Sequence, residues 1–322
     1  MLSLRNKNVL VTGGAGFIGS HLCDQLIEQS VAKLVAVDNL FLGKKSNLQA
    51  ISRTRKNFLF AEIDVTNPAA IKKIIDRHRI EVIFHLAVVP LEVSLLKPDW
   101  CFTQNVKMTQ NICEIIRQAA RPITLVAYSS SEVYGSARYT PMDENHPLLC
   151  HTPYAASKLS SDVLVYSYYR TFGIDMALVR PFNNYGPRQN EGSYAGVIPI
   201  TITRIMRGEK PIIYGDGKQT RDFIFVGDTV AGTIKIYQNK KSRGEVFNLA
   251  SGQQISIAKL IKTICREMNY RGEIEHRSER PGDVRKHQGD ASKAEKLLGF
   301  TPMVRFEEGI KKTVDWYRRR EI

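Results

Sequence analysis

The chain has 322 residues, 43% of them hydrophobic and 24% charged, which is enough for a large buried core in one compact body. No apolar run nears the roughly 20 residues that cross a bilayer, so a membrane-embedded role is not expected. The net charge of +14 comes from lysines and arginines spread along the whole length, which reads as solvated surface and argues against a nucleic-acid partner.

In chain order, KNVLVTG (7–13), KLVAVD (33–38), NFLFAEID (57–64), EVIFHLA (81–87), ITLVAYSS (123–130) and IDMALVRP (174–181) are β-branched runs that read as strands. Amphipathic stretches at about 17–30, 68–79, 99–120 and 154–172 separate them. Repeated strand–helix units predict an α/β fold with a doubly wound parallel sheet of the Rossmann type, here over residues 1–180. After Pro181 the alternation loosens. Helices near 196–207, 227–238, 256–268, 291–298 and 306–319 interleave with strands around 211–214, 222–225 and 245–249. Residues 181–322 therefore read as a smaller C-terminal substrate-binding lobe, interleaved with the first domain and closing a cleft over the sheet's carboxyl edge.

The apolar start behind Arg5 and Lys7 fits a strand and phosphate loop better than a leader peptide. Cys23, Cys101, Cys113, Cys150 and Cys265 are scattered with no CxxC pair, as expected of a reducing, cytoplasmic setting. The seven histidines form no HExxH or other ligand spacing, so no metal site is expected.

TGGAGFIGSH (12–21) begins where the first strand ends, and its Gly13, Gly16 and Gly19 allow a tight turn, backbone approach to a pyrophosphate and close helix packing. Asp38 closes the second strand 19 residues after Gly19, where a carboxylate accepts the ribose hydroxyls of NAD and repels the extra phosphate of NADP. Lys44 and Lys45 lie close by and would soften that discrimination. Asp64, ending the third strand, either reaches the adenine or caps the helix that starts near Pro68.

TPYAASK (152–158) opens a helix and puts Tyr154 and Lys158 four residues apart, on one face. An ammonium beside the tyrosine, with a positive nicotinamide, favours the phenolate needed for a base. SSSEVYG (129–135) ends the preceding strand with three hydroxyls and Glu132, a carboxylate that is either salt-bridged structure or chemistry at the sheet edge.

These segments, with HLA (85–87), RPFNNYGPR (180–188) and GDGKQTRDFIFVGD (215–228), make the chain resemble an extended short-chain dehydrogenase/reductase of the nucleotide-sugar epimerase/dehydratase branch over essentially its whole length. The resemblance implies NAD contacts from Gly13, Gly16, Phe17, Ile18, Gly19, Asp38, Asn39, Asp64, Val65, Leu86, Ala87, Tyr154 and Lys158. It implies that Ser130 holds the sugar C4 oxygen, that Tyr154 is the base, and that Lys158 serves tyrosine and nicotinamide ribose. Asn183, Arg221 and Arg280 would meet the substrate diphosphate, Asp283 the nucleoside ribose, and Tyr214 either stacks on the base or packs. Each arginine also has a plainer reading as a surface salt bridge.

Within this branch, simple 4-epimerases resemble one another in carrying a small or hydroxyl residue where Glu132 stands, and hexose 4,6-dehydratases and some sugar-acid decarboxylases carry glutamate. Here the pair is Ser131–Glu132, similar to the GDP-mannose-type pattern, so the acid for water loss is either Glu132 itself or a relaying serine. The resemblance thus ranks a nucleotide-sugar 4,6-dehydratase first, a 4-epimerase second and a UDP-sugar-acid decarboxylase third, with a cofactor-binding regulatory module as the non-enzyme reading. It also implies a homodimer joined through the helices near 99–120 and 154–172.

Overall fold

The computed structural model describes residues 1–192, 194–278 and 285–320. Five strand–helix units and a closing sixth strand run β1 (Asn8–Thr12), α1 (Phe17–Glu28), β2 (Lys33–Asp38), α2 (Gln49–Thr54), β3 (Phe58–Glu62), α3 (Pro68–Arg77), β4 (Val82–His85), α4 (Leu91–Ser94), α5 (Pro98–Arg117), β5 (Thr124–Tyr128), α6 (Pro153–Phe172) and β6 (Met176–Pro181). There follow β7 (Asn183–Tyr185), α7 (Val197–Met206), β8 (Ile212–Tyr214), β9 (Thr220–Arg221), β10 (Phe223–Phe225), α8 (Val226–Gln238) and β11 (Val246–Leu249). The last are β12 (Ile255–Ser256), α9 (Ile257–Glu267), β13 (Glu275–Arg277), α10 (Ser292–Leu298) and α11 (Phe306–Arg318).

The main sheet has seven strands in the order β11-β6-β5-β4-β1-β2-β3, and every pairing in it is parallel. Parallel register brings Thr12 level with His85, and His85 level with Ala127, so the carboxyl ends form one edge. The order reverses between β1 and β4, the switch point at which such sheets open a crevice for ligands. Both faces are covered. One packs α1 and α8 through residues such as Leu22, Leu26, Val230 and Ile234. The other packs α3, α5 and α6 through Ile71, Ile112, Ile116 and Val165.

The chain after Pro181 does two jobs. Tyr185, Ile198, Leu260, Phe306 and Ile310 build a separate core in which α7, α9 and α11 meet. By contrast β11 pairs with β6, Leu249 opposite Pro181, and α8 covers the sheet, so the 245–249 strand completes the main body rather than the lobe.

Local sequence explains α6, the helix that matters most. Thr152 caps it by accepting the Ala155 N–H at 3.1 Å, and Pro153 occupies the first turn. It stops at Gly173, whose φ of +67° is the left-handed conformation glycine adopts without strain. Beneath it lies a buried charge pair. Asp162 Oδ2 accepts Arg180 Nε and Nη2 at 3.1 Å each and the Ser129 hydroxyl at 2.8 Å. Arg180 also reaches the Tyr134 hydroxyl at 3.2 Å, which donates to Asn248 Oδ1 at 2.7 Å.

Candidate active site

A cavity of about 500 Å³ opens at the carboxyl edge of the sheet. Its floor is the glycine loop. Gly13 has a φ of +68°, and a Cβ there would stand 2.8 Å from the Ala87 nitrogen; at Gly19 it would stand 2.1 Å from the Gly13 oxygen. The loop is thereby pressed against Leu86–Ala87 and under α1, whose Gly16 cap leaves the first N–H groups free of side-chain capping. That is a cradle for an anionic pyrophosphate. The Thr12 hydroxyl ties the same strands together: it meets His85 Nδ1 at 2.7 Å and accepts the Leu86 and Ala87 N–H groups at 3.1 and 3.2 Å.

Asp38 closes the far side. Its carboxylate accepts Ala15 N–H at 3.1 Å and Leu40 N–H at 2.8 Å. Burial pushes its carboxyl up, against the pull of those backbone donors. The two lysines expected to soften its discrimination are engaged elsewhere. Lys44 pairs with Glu191 at 2.5 Å and Lys45 with Glu62 at 2.8 Å. Asp64 lines the cavity with Asn39 and Val65, holding Asn39 Nδ2 at 3.0 Å. Burial would raise its carboxyl, but hydrogen bonds from Thr66 and Asn39 bring it below the usual range. Its capping alternative is settled by Asn67, which accepts the Ala70 N–H at 3.1 Å.

We expect NAD to bind more tightly than NADP, by up to about 10³-fold, since one unpaired like-charge contact at about 4 Å is worth about 4 kcal/mol at the effective dielectric of a protein surface. Asp38→Ala should close most of that gap. Equal affinities in the unaltered protein, by calorimetry, contradict this.

Ser130, Tyr154, Lys158 and Asn183 line the same cavity as Phe17, Ile18, Leu86 and Ala87. Ser130 caps the short 3-10 turn Ser131–Tyr134, its hydroxyl accepting the Glu132 N–H at 3.2 Å, and it hydrogen-bonds the Tyr154 phenol. Burial raises the phenol's pKa, the Ser130 contact lowers it, and the charges of Glu132 and Glu92 raise it again. Lys158 differs from expectation. Its ammonium donates to the Tyr128 carbonyl instead of the phenol, and burial lowers its pKa to about 8 with Asp162 opposing. Asn105 steadies the helix from α5, donating to the Ser157 hydroxyl at 2.9 Å and accepting the Val89 N–H at 2.7 Å.

Ser131 is buried and Glu132 half-buried on the turn that follows the cavity-lining Ser130. Asn183 donates to the Asp222 carbonyl at 3.3 Å and lies 3.4 Å from His287 Nδ1. Arg221 stands on β9 opposite Ile255 and donates to the Thr220 carbonyl at 3.0 Å. Tyr214 pairs in register with Arg277, outside the residues that line the cavity. Arg280 and Asp283 lie outside the described residues.

Sequence reasoning missed Glu92, which lines the cavity, and His287, buried against Phe182 with ring centroids 5.0 Å apart. Each is a lone polar residue in a segment with no motif. It also missed an aromatic cluster on the wall, in which Phe41 meets Trp100 at 5.4 Å and Tyr194 at 6.4 Å. Among the described residues, no group of His, Cys, Asp or Glu could hold a metal ion, and no helix is long and apolar enough to cross a membrane.

The sheet order, glycine cradle and Tyr–Lys helix together define a dinucleotide-dependent enzyme of the short-chain dehydrogenase/reductase type. Residues 10–313 match the GDP-mannose 4,6 dehydratase family. A putative UDP-glucose 4-epimerase of Methanocaldococcus jannaschii is 36% identical over 96% of this chain and 98% of its own. The crystal structure of a UDP-glucose 4-epimerase from Thermotoga maritima, with UDP-glucose, superposes with a TM-score of 0.91 at 33% identity, covering 97% of this chain and 99% of that one. That of DesIV, a dTDP-glucose 4,6-dehydratase from Streptomyces venezuelae with NAD bound, gives 0.90 at 28% identity over 97% of each chain. The chain belongs to the NAD-dependent nucleotide-sugar epimerase/dehydratase family of extended short-chain dehydrogenases/reductases, whose members similar to it include epimerases, 4,6-dehydratases and decarboxylases.

Proposed function

We propose that this enzyme is a nucleotide-sugar 4,6-dehydratase. The observation that carries the reading is Glu132, a carboxylate on the turn capped by Ser130 whose charge acts on the phenol that Ser130 hydrogen-bonds. The glycine loop, Asp38 and Lys158 would hold NAD, which would supply a reversible hydride acceptor. Tyr154 removes the C4 hydroxyl proton while Ser130 holds that oxygen. The resulting 4-ketone acidifies the C5 proton, and Glu132 removes it. Water then leaves from C6, and a proton returns to C5. Asn183, Arg221 and Arg280 hold the diphosphate, with Asp283 on the ribose.

A second reading, a 4-epimerase, draws support from the 36% identity to a putative epimerase and the fit to a solved one. It uses Ser130, Tyr154 and Lys158 in the same way and leaves Glu132 without a reaction step. Incubation with UDP-glucose, UDP-N-acetylglucosamine, dTDP-glucose, GDP-mannose and UDP-glucuronate, followed by mass spectrometry and proton NMR of the sugar, separates the readings. Loss of water supports the dehydratase. Rearrangement at unchanged mass makes it an epimerase, and loss of carbon dioxide a decarboxylase. Bound NAD with no turnover on any of the five makes it a regulatory module.

We further infer a homodimer joined through α5 and α6. Ile112, Ile115 and Ile116 are spent on covering the sheet, but Val163 and Tyr166 on α6 remain 61% and 45% exposed. Light scattering at micromolar concentration should give a dimer, and Val163→Asp should shift it toward monomer. A monomer in the unaltered protein contradicts this.

A further inference from the structure

The steps above leave the cavity carboxylate Glu92 unused. Glu92 sits in the first turn of α4, directly after Pro90, and lines the same wall as Ser130 and Tyr154. Many carboxylates of this cationic chain meet a lysine or arginine, among them Glu81, Glu191 and Glu245. Glu92 pairs with none among the described residues, and its hydrogen bond is with its own backbone. Glu92 lines the cavity beyond the exit of β4, whereas Glu132 follows the cavity-lining Ser130 beyond the exit of the adjacent strand β5 and is not itself among the lining residues. Both charges act on the Tyr154 phenol. Burial holds the Glu92 carboxyl above the usual range, which favours the protonated form.

Water loss needs two groups, a base at C5 and an acid at the C6 oxygen, because hydroxide is a poor leaving group. The proton that Glu132 takes from C5 is the one it returns to C5 after hydride transfer, so a second group has to supply the proton of the leaving water. Ser131 is a buried hydroxyl whose backbone faces His287, and an alcohol is too weak an acid to serve alone. We propose that Glu92 is the general acid that protonates the C6 hydroxyl as the C6–O bond breaks. This rests on the dehydratase reading. Glu132 takes the C5 proton and the C5–H electron pair moves into the enolate of the 4-ketone; that pair then forms the C5–C6 double bond as the C6–O pair leaves with the proton of Glu92 as water. Glu92 ends as carboxylate and Glu132 as acid. Hydride returned from the cofactor then adds at C6, Glu132 gives its proton to C5, and Glu92 recovers a proton from solvent.

The test uses the full-length protein and the sugar nucleotide of the five above that it dehydrates. Glu92→Gln keeps the shape of a neutral carboxyl, so calorimetry should give unchanged affinity for that sugar nucleotide. Exchange of the C5 hydrogen with solvent deuterium should persist, because Glu132 is untouched. Release of dehydrated product should fall about 10²–10⁴-fold, the usual share of a general acid. The 6-chloro-6-deoxy analogue of the same sugar nucleotide should restore elimination to the parent's rate on that analogue, since chloride leaves without a proton. Parental dehydration of the natural substrate by Glu92→Gln overturns the assignment and leaves the dehydratase reading standing. Failure of the chloro analogue to rescue, or loss of affinity or C5 exchange, also overturns it, since Glu92 would then bind or position. If the unaltered protein dehydrates none of the five, the dehydratase reading falls and this assignment with it.

Discussion

Glu132→Gln should stop the enzyme after C4 oxidation. The amide keeps the size of the side chain, and the Ser130 cap on its backbone N–H at 3.2 Å is unaffected, so fold and binding should persist. Tyr154, Ser130 and Lys158 remain, and the variant should still oxidise C4, seen as reduced-cofactor absorbance and a trapped 4-keto sugar. Dehydration should fall about 10²–10⁴-fold, and solvent deuterium should stop entering C5. Tyr154→Phe should fail one step earlier, with no absorbance change. A glutamate with only a structural role predicts a lower melting temperature and all steps slowed together. Parental dehydration by Glu132→Gln removes the main support for the proposed function.

Asp162→Ala should have the largest effect on stability. Asp162 and Arg180 are each only 6% exposed, and removing the carboxylate leaves a buried guanidinium held by the Tyr134 hydroxyl and the face of the Tyr134 ring, with no charge opposite it among the described residues. Breaking such a pair from one side costs about 3–5 kcal/mol. Chemical denaturation should show the loss, and Asp162→Asn should lose less because the amide still fills the space. The pH dependence should move too. Lys158 has a pKa near 8, and Asp162 is one of the groups that raise it. Without that carboxylate the ammonium gives up its proton at lower pH, so the alkaline limb of the activity profile should shift downward in both variants. An unmoved limb would mean that Asp162 acts on stability alone.

The parts of this molecule legible in the sequence are those set by local spacing. Gly13, Gly16 and Gly19 after a β-branched run, Asp38 at the next strand end, and Tyr154 with Lys158 behind a Thr-Pro helix start each carry a short-range rule. Six strands and most helices were legible for the same reason. What depends on tertiary contact was not. The β11 run at 246–249 looks like any short strand, and only its pairing with β6 assigns it to the main sheet. Lys158 and Tyr154 share a helix face, yet the depth of the Tyr128 carbonyl decides which partner the ammonium meets. Glu92 lies on a four-residue helix too short for any periodicity, and its cavity position follows from how the exit of β4 folds.

The placement of β11 also governs the order in which the chain can assemble. During synthesis β6 emerges with one side open, and the sheet face that α8 covers stays bare until residues 226–249 have appeared. An unpaired strand edge beside an apolar face invites pairing between nascent chains. The cradle and Tyr–Lys helix are complete in sequence by residue 172, yet the sheet that supports them gains its seventh strand only after α7 and α8 have been made. A fragment ending after β6 should therefore self-associate instead of displaying a cofactor site, and coexpression with the remaining chain should suppress that by restoring the missing edge.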